Sequence, residues 1–457
     1  MRFRAMLASA ALVCAGLGGA LAQPAAAADP TPLPWIGTSG TGPDRELIDT
    51  STQQRFVPRG TNYVRLAKLR DDEAWWHSTF EPGRYDAARA DRALRAMRRD
   101  GYNVVRVFLD PGNEQHRLLG EPHGLGLGPD DTSRGTPAYL DNVADFVRKA
   151  ATHRIYVLPI LDYYPQNAHY WGVRGHYDAI KLNISGENAL WMVEGEIRAK
   201  QEFFTNFVAD LRRRVGPRLM SAFLALQAQN EAFYTGDARP FSAKSGTVTP
   251  ANGVTYDLAV DADRQQAADA SAVEFARRIA ATVRKSAEPR LMVTIGMFTY
   301  QAVGKAGPNG FQQFCSREPG GGVPCRENVD YRYPFRLSSL AQWANLPFLD
   351  LHLYPVPAQF SLDDNLRSSE WAQVTGPVIV GEYGAFREAF GNDVVRAAYG
   401  MRDLQVDTCR RGFDGWLFWT YDTEESADQQ RLFRLTEQKG AINGQLAPVA
   451  RPNACAR

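Results

Sequence analysis

Eight short apolar runs, separated mostly by helix-like stretches, constrain this 457-residue chain more than any other feature of its sequence. They are FVPRGTNYV (56–64), YNVVRVFL (102–109), IYVLPILD (155–162), MSAFLALQ (220–227), RLMVTIGMF (290–298), FLDLHLYP (348–355), PVIVGEYG (377–384) and DGWLFWTY (414–421). Most are near-continuous rather than alternating, the pattern of strands covered on both faces. The stretches 85–101, 138–153, 194–216, 263–287 and 392–412 carry apolar residues at helical spacing. The first of them opens near an Asp and stops at a Gly. Eight strands alternating with helices is the arithmetic of a (β/α)8 barrel. A doubly wound sheet would want a glycine-rich fingerprint after its first strand. The glycines of HGLGLGPDD (Gly124, Gly126 and Gly128) have no strand and helix around them and read as turn residues. With no repeat and no low-complexity linker, residues 29–457 are expected to form one domain with long insertions. The segment 35–55 is expected to be a hairpin over the barrel floor.

The first 28 residues read as a secretion signal. Arg2 and Arg4 precede a short stretch rich in Ala and Gly, and ALA (20–22) and AAA (26–28) are candidate cleavage sites. The expected location is therefore outside the cell or in the periplasm, with no membrane anchor after cleavage. Basic and acidic residues nearly cancel, at 52 against 51. Cleavage after Ala28 removes two Arg and no acid, turning the formal net charge from +1 to −1. No long run of one sign appears, which argues against nucleic acid or an anionic membrane as partner. Four cysteines remain beyond Cys14, an even number suited to disulfides in an exported protein. Of the three possible pairings, Cys315–Cys325 and Cys409–Cys455 are favoured. No CxxC or HExxH spacing supports zinc.

Chemistry is sought at the C-terminal ends of the strands, where barrels of this type place their active sites. The second run contains Arg106. The fourth passes into Asn230–Glu231, the sixth carries His352 and Tyr354, the seventh ends in Glu382–Tyr383, and the eighth has Trp419 followed by Asp422. Two carboxylates thus arise on runs four and seven. The connections after the first five strands add Trp75, Trp76, Tyr163, Tyr164, Tyr170, Trp171, Tyr234 and Tyr300, aromatics able to stack on sugar rings or simply to pack. His169 and His176 fit no metal spacing and read as loop packing.

RGTNY, GYNVVRVF, QNE, HLY, GEYG and the Trp of FWT, in this order on these strands, resemble the clan A glycoside hydrolases, especially family 5, which includes cellulases and mannanases. The resemblance spans essentially the whole chain beyond the signal. It implies a retaining double displacement with Glu231 as acid/base and Glu382 as nucleophile. It also implies substrate-binding or supporting roles for Asn230 at the sugar 2-hydroxyl, Arg106 and Tyr354 on Glu382, His352 in positioning, and Trp419 under the cleaved sugar. No metal or organic cofactor is implied. Two departures bear on substrate: Ala232 stands where family members often have Pro, and Tyr164 where many have His. Tyr164 is therefore expected to alter the glycone-side subsite. The reading is a monomeric β-glycosidase acting on a carbohydrate, with β-mannan or β-glucan as the guess. A transglycosylase of exopolysaccharide and a barrel that binds sugar without cleaving it are the alternatives. Asp422, Glu424 and Glu425 either line the cleft or are merely solvated.

Overall fold

The structure, a computed structural model, describes residues 30–68, 75–112, 124–126, 136–298, 315–316, 323–324, 332–333, 335–354, 362–363, 366, 370–423 and 431–457. All eight apolar runs are strands of one parallel barrel. In chain order they are β1 Arg59–Asn62, β2 Val104–Phe108, β3 Tyr156–Ile160, β4 Leu226–Gln227, β5 in two halves (Val293–Thr294 and Gly296–Phe298), β6 Leu349–His352, β7 Val378–Tyr383 and β8 Gly415–Phe418. Each pairs with the next, and β8 pairs back onto β1 with Leu417 opposite Gly60. The first half of β5 lies beside β4 and the second beside β6, so the split strand closes the ring. The carbonyl of Ile295, between the halves, accepts from the Asp350 amide.

Burial on both faces explains the continuous apolar sequence: every residue of β2, β3, β6, β7 and β8 is buried. The charged exceptions within those runs are the residues that build the site. The five expected helices follow the strands, α1 Ala87–Arg99, α2 Pro137–Thr152, α3 Glu194–Val215, α4 Asp261–Arg284 and α6 Val394–Arg410, and a further helix, α5 Leu337–Trp343, precedes β6. Asp86 caps α1 by accepting from the Arg89 amide, and Asp393 caps α6 the same way at Val395 and Arg396.

The segment 35–55 contains the expected hairpin, Ile36–Ser39 antiparallel to Glu46–Asp49. It covers the barrel floor. Arg45 donates to the Leu346 carbonyl just before β6, and the hydroxyl of Tyr156, first residue of β3, donates to the Pro34 carbonyl. At the other terminus Arg59 donates to the carbonyls of Leu446, Arg451 and Pro452, fixing the tail under β1. Cys409 and Cys455 face each other there with Cα atoms 5.2 Å apart, inside the range a disulfide requires. Cys325 and residues 1–29 lie outside the described residues. Gly124 and Gly126 are bends, as expected of turn residues. Among the described residues, no helix is long and apolar enough to cross a membrane.

Candidate active site

Arg106 is the centre of the site. It is the charged residue of VVRVF, its side chain is completely buried inside the barrel, and its guanidinium fans out to five side chains at the ends of four other strands. Nε donates to Gln227 Oε1 of β4 at 2.8 Å. One terminal nitrogen donates to Asn62 Oδ1 of β1 at 2.9 Å and to Glu382 Oε1 of β7. The other donates to Asn230 Oδ1, just past β4, at 2.6 Å and lies 3.3 Å from His352 Nε2 of β6. A guanidinium suits this task because it offers five donors in a rigid plane.

Asp350 of β6 completes the lower layer. One of its oxygens accepts from Gln227 Nε2 at 2.8 Å and lies 3.6 Å from Arg106 Nε. Gly381, the Gly of GEYG, makes room for it: a Cβ at position 381 would sit 2.0 Å from the Asp350 carboxylate. The glycine preceding Glu382 is thus a packing requirement of the network beneath it.

Glu382 is 4% exposed and accepts from Arg106 on one oxygen and from the Tyr354 hydroxyl, at 2.8 Å, on the other. Glu231 is more open, its side chain 26% exposed, and its Oε1 lies 3.1 Å from His352 Nδ1. The same Nδ1 is 3.5 Å from Glu382 Oε2. Carboxylate oxygens of Glu231 and Glu382 and a ring nitrogen of His352 all lie within 4.8 Å of one another. The fourth and seventh strands therefore bring both glutamates to one point.

Burial raises the Glu382 carboxyl above its usual range and the charge of Glu231 adds to this, while His352, Arg106 and the Tyr354 hydrogen bond oppose it. For His352 burial pulls the other way, but Glu382 and Asp350 outweigh it and push the imidazole up to about 9. The charge balance supports a cationic ring: three carboxylates meet here and Arg106 supplies one positive charge. The imidazolium then directs Nδ1–H at Glu231 and Glu382. Its Nε2 stands 3.7 Å from Asp350 Oδ2, which compensates the 3.3 Å approach of Arg106. In a neutral ring that approach would instead be a hydrogen bond to Nε2. Glu231, His352 and Glu382 are close enough to offer one ligand atom each to a metal, and Arg106, 3.3 Å from His352 Nε2, sets a fixed positive charge beside them.

A stability prediction follows. The folded-state value of His352 exceeds its ordinary 6.5, so the stabilisation is complete below pH 6.5 and disappears as pH rises through about 9. The span corresponds to about 3 kcal/mol. Urea unfolding at pH 6 and pH 9.5 should show this fall, and His352→Gln should flatten it. An equal slope in the variant would show that His352 is not its source.

The apolar wall beside the carboxylates consists of Val64, Phe108, Ile160, Tyr354, Trp419 and Phe433. Trp419, 7% exposed, meets Phe108 edge-on at 5.8 Å, and Arg106 lies under the Phe108 ring at 5.1 Å. Seven of the eight expected site residues thus lie at the site: Glu231, Glu382, Asn230, Arg106, His352, Tyr354 and Trp419. Tyr164 does not join the carboxylate cluster. It is buried, its hydroxyl donates to Glu196 Oε2 of α3, and its ring packs near Tyr170. Tyr170 and Tyr234 are packing aromatics too, Tyr170 against Phe203 and Tyr234 among Trp191, Phe241 and Phe335. His169, on the short helix Ala168–Arg174, lies 3.6 Å from Glu202 of α3, and Asp422 is tied to Arg65 and Arg89. Glu424, Glu425 and Tyr300 lie outside the described residues, as do the side chains of Trp75 and Trp76.

No family model and no curated protein sequence matches the chain. Solved structures do. An exo-β-1,4-mannosidase from Opitutaceae bacterium strain TAV5 aligns with TM-score 0.52 at 17% identity, over 90% of this chain and 63% of that one. The fold is theirs to share. The endo-β-1,4-mannanase of Thermotoga petrophila aligns with TM-score 0.52 at 15% identity, covering 87% and 77%. A glycoside hydrolase family 5 mannosidase from Rhizomucor miehei does so with TM-score 0.51 at 11% identity, covering 92% and 99%. The chain spans less than two thirds of the first of these proteins. At such identities the likeness is one of fold: a (β/α)8 barrel resembling the family 5 glycoside hydrolases.

Proposed function

We propose that this protein is an exported, retaining β-glycosidase that cleaves a β-linked polysaccharide or oligosaccharide through a covalent glycosyl-Glu382 intermediate. The observation that carries the reading is the close approach of Glu231 and Glu382, with oxygens within 4.8 Å. Retaining enzymes hold their two carboxyl groups about 5–5.5 Å apart, whereas inverting ones leave about 6.5–9.5 Å for a water between them. The two glutamates also differ in surroundings. Arg106 and Tyr354 both donate to Glu382 and so favour negative charge there. Glu231 has the more open position.

In the first step Glu382 attacks the anomeric carbon while Glu231 gives its proton to the departing glycosidic oxygen. In the second Glu231 takes a proton from water, which attacks the same carbon and releases Glu382. Asn230 has its carbonyl oxygen committed to Arg106, which orients its NH2 as a donor to a sugar hydroxyl. Trp419, set edge-on against Phe108, offers an apolar surface to the sugar ring. β-Mannan leads as substrate because mannosidases and mannanases share the fold, and β-glucan follows.

The test removes Glu231. With an aryl β-glycoside whose leaving group needs no proton, Glu231→Ala should form the glycosyl-enzyme and then stall, and added azide should restore turnover and yield a β-glycosyl azide. An α-azide product, or no acceleration by azide, would count against the assignment.

A further inference from the structure

Lys200 is a buried cation that the chemistry above leaves without a task. It lies on α3, outside the barrel, yet is only 3% exposed. Burying an ammonium group is costly, so its contacts indicate what it is kept for. The ammonium donates to the carbonyls of Leu161 and Tyr163, one on each side of Asp162 at the end of β3. Burial pulls the Lys200 ammonium down to about 7, and the charge of Asp162 opposes this. Tyr163 is held at φ +48°, a left-handed conformation that non-glycine residues avoid, so this corner needs outside support. Lys200 supplies it by binding both flanking carbonyls.

The corner connects directly to the carboxylates. Asp162 Oδ1 accepts from the backbone amide of Asn230 at 2.7 Å. Asn230 immediately precedes Glu231, and its side chain is tied to Arg106. A continuous series of contacts therefore runs from α3 through the β3 corner to the backbone that carries Glu231. We propose that Lys200 is a positioning residue for Glu231, acting through Asp162: it fixes the β3 corner so that the Asp162 carboxylate holds the Asn230 amide and sets where the neighbouring carboxyl stands. This rests on Glu231 being the acid/base.

A positioning role has a signature that general destabilisation lacks. A misplaced acid slows departure of groups that need a proton and spares those that do not. The comparison is kcat/KM for a phenyl and a 2,4-dinitrophenyl β-glycoside of mannose or glucose. Displacement of a catalytic group by about 1 Å costs on the order of 10²-fold. Lys200→Met should therefore lower the value for the phenyl glycoside by about 10- to 100-fold and leave the dinitrophenyl glycoside within about threefold. Asp162→Ala should show the same split, which keeps the idea testable if Lys200→Met does not fold. Equal losses on both substrates in a folded variant, or no loss on either, would overturn the role of Lys200. If Glu231→Ala shows no azide rescue, the acid/base assignment fails and this role fails with it. Equal losses with azide rescue intact would defeat only the positioning role.

Discussion

Glu382→Gln should abolish hydrolysis while leaving the barrel folded. The substitution keeps the shape of the side chain and an oxygen to accept from Arg106 or Tyr354, but removes the nucleophile. Deleting the nucleophile of an enzyme with a covalent intermediate costs several orders of magnitude, and a loss of about 10⁴-fold or more in kcat is expected. Stability should respond differently. Burial raises the Glu382 carboxyl, so its ionised form is held there against a desolvation cost that a neutral amide does not carry. The thermal midpoint should accordingly stay within a few degrees of wild type or rise. A 2-deoxy-2-fluoro glycoside with a good leaving group should label the wild-type protein at Glu382, located by peptide mass mapping, and should not label the variant. Turnover above about one per cent of wild type, or labelling at another carboxylate, would remove Glu382 from the proposed mechanism.

The barrel was legible because strands buried on both faces are written as unbroken apolar runs. The site was legible where a polar residue interrupts or ends such a run. Arg106, His352 and Glu382 stand out in this way, and their order on the strands carries the resemblance. The same signal marked Asn62, Gln227 and Asp350, each a polar residue in or beside an apolar run. They went unassigned because sequence does not show that their partners lie on one guanidinium. Lys200 carried no signal. In EIRAKQEFF it reads as an ordinary charged helix residue, and its burial follows from how α3 packs over the end of β3. Tyr164 was misplaced for a related reason. The side-chain alternation of a strand ends at the Asp162–Tyr163 corner, and beyond it sequence position no longer decides which way a ring points. Aromatic residues of the connections, such as Tyr170 and Tyr234, are ambiguous likewise, since stacking on sugar and packing on helices require the same side chain.

Arg106→Met should cost both stability and activity, and Arg106→Lys should recover little of either. The guanidinium donates to Glu382, Asn62, Asn230 and Gln227, which come from three strands and the loop after one of them, and it lies 3.6 Å from Asp350. A methionine of similar length leaves two buried carboxylates without their cation and three amide oxygens short of a donor. Removing one partner of a buried ion pair destabilises by about 3–5 kcal/mol. Loss of activity has a separate cause: Glu382 loses the donor on Oε1, and Asn230 loses the contact that orients its NH2. Removing one preorganised donor at a reacting oxygen costs about 10²–10³ in rate, and a comparable fall in kcat/KM is expected. Lysine restores a charge but not the planar fork, and a single ammonium cannot meet acceptors on four sides. The two effects separate in a double-mutant cycle. In a Glu382→Gln background one of the two carboxylates is already neutral, so Arg106→Met should destabilise by at least 1 kcal/mol less than in wild type. Additive losses, measured by urea unfolding of the four proteins, would mean that Arg106 supports the barrel through its amide contacts alone and that its link to Glu382 carries no stabilising energy.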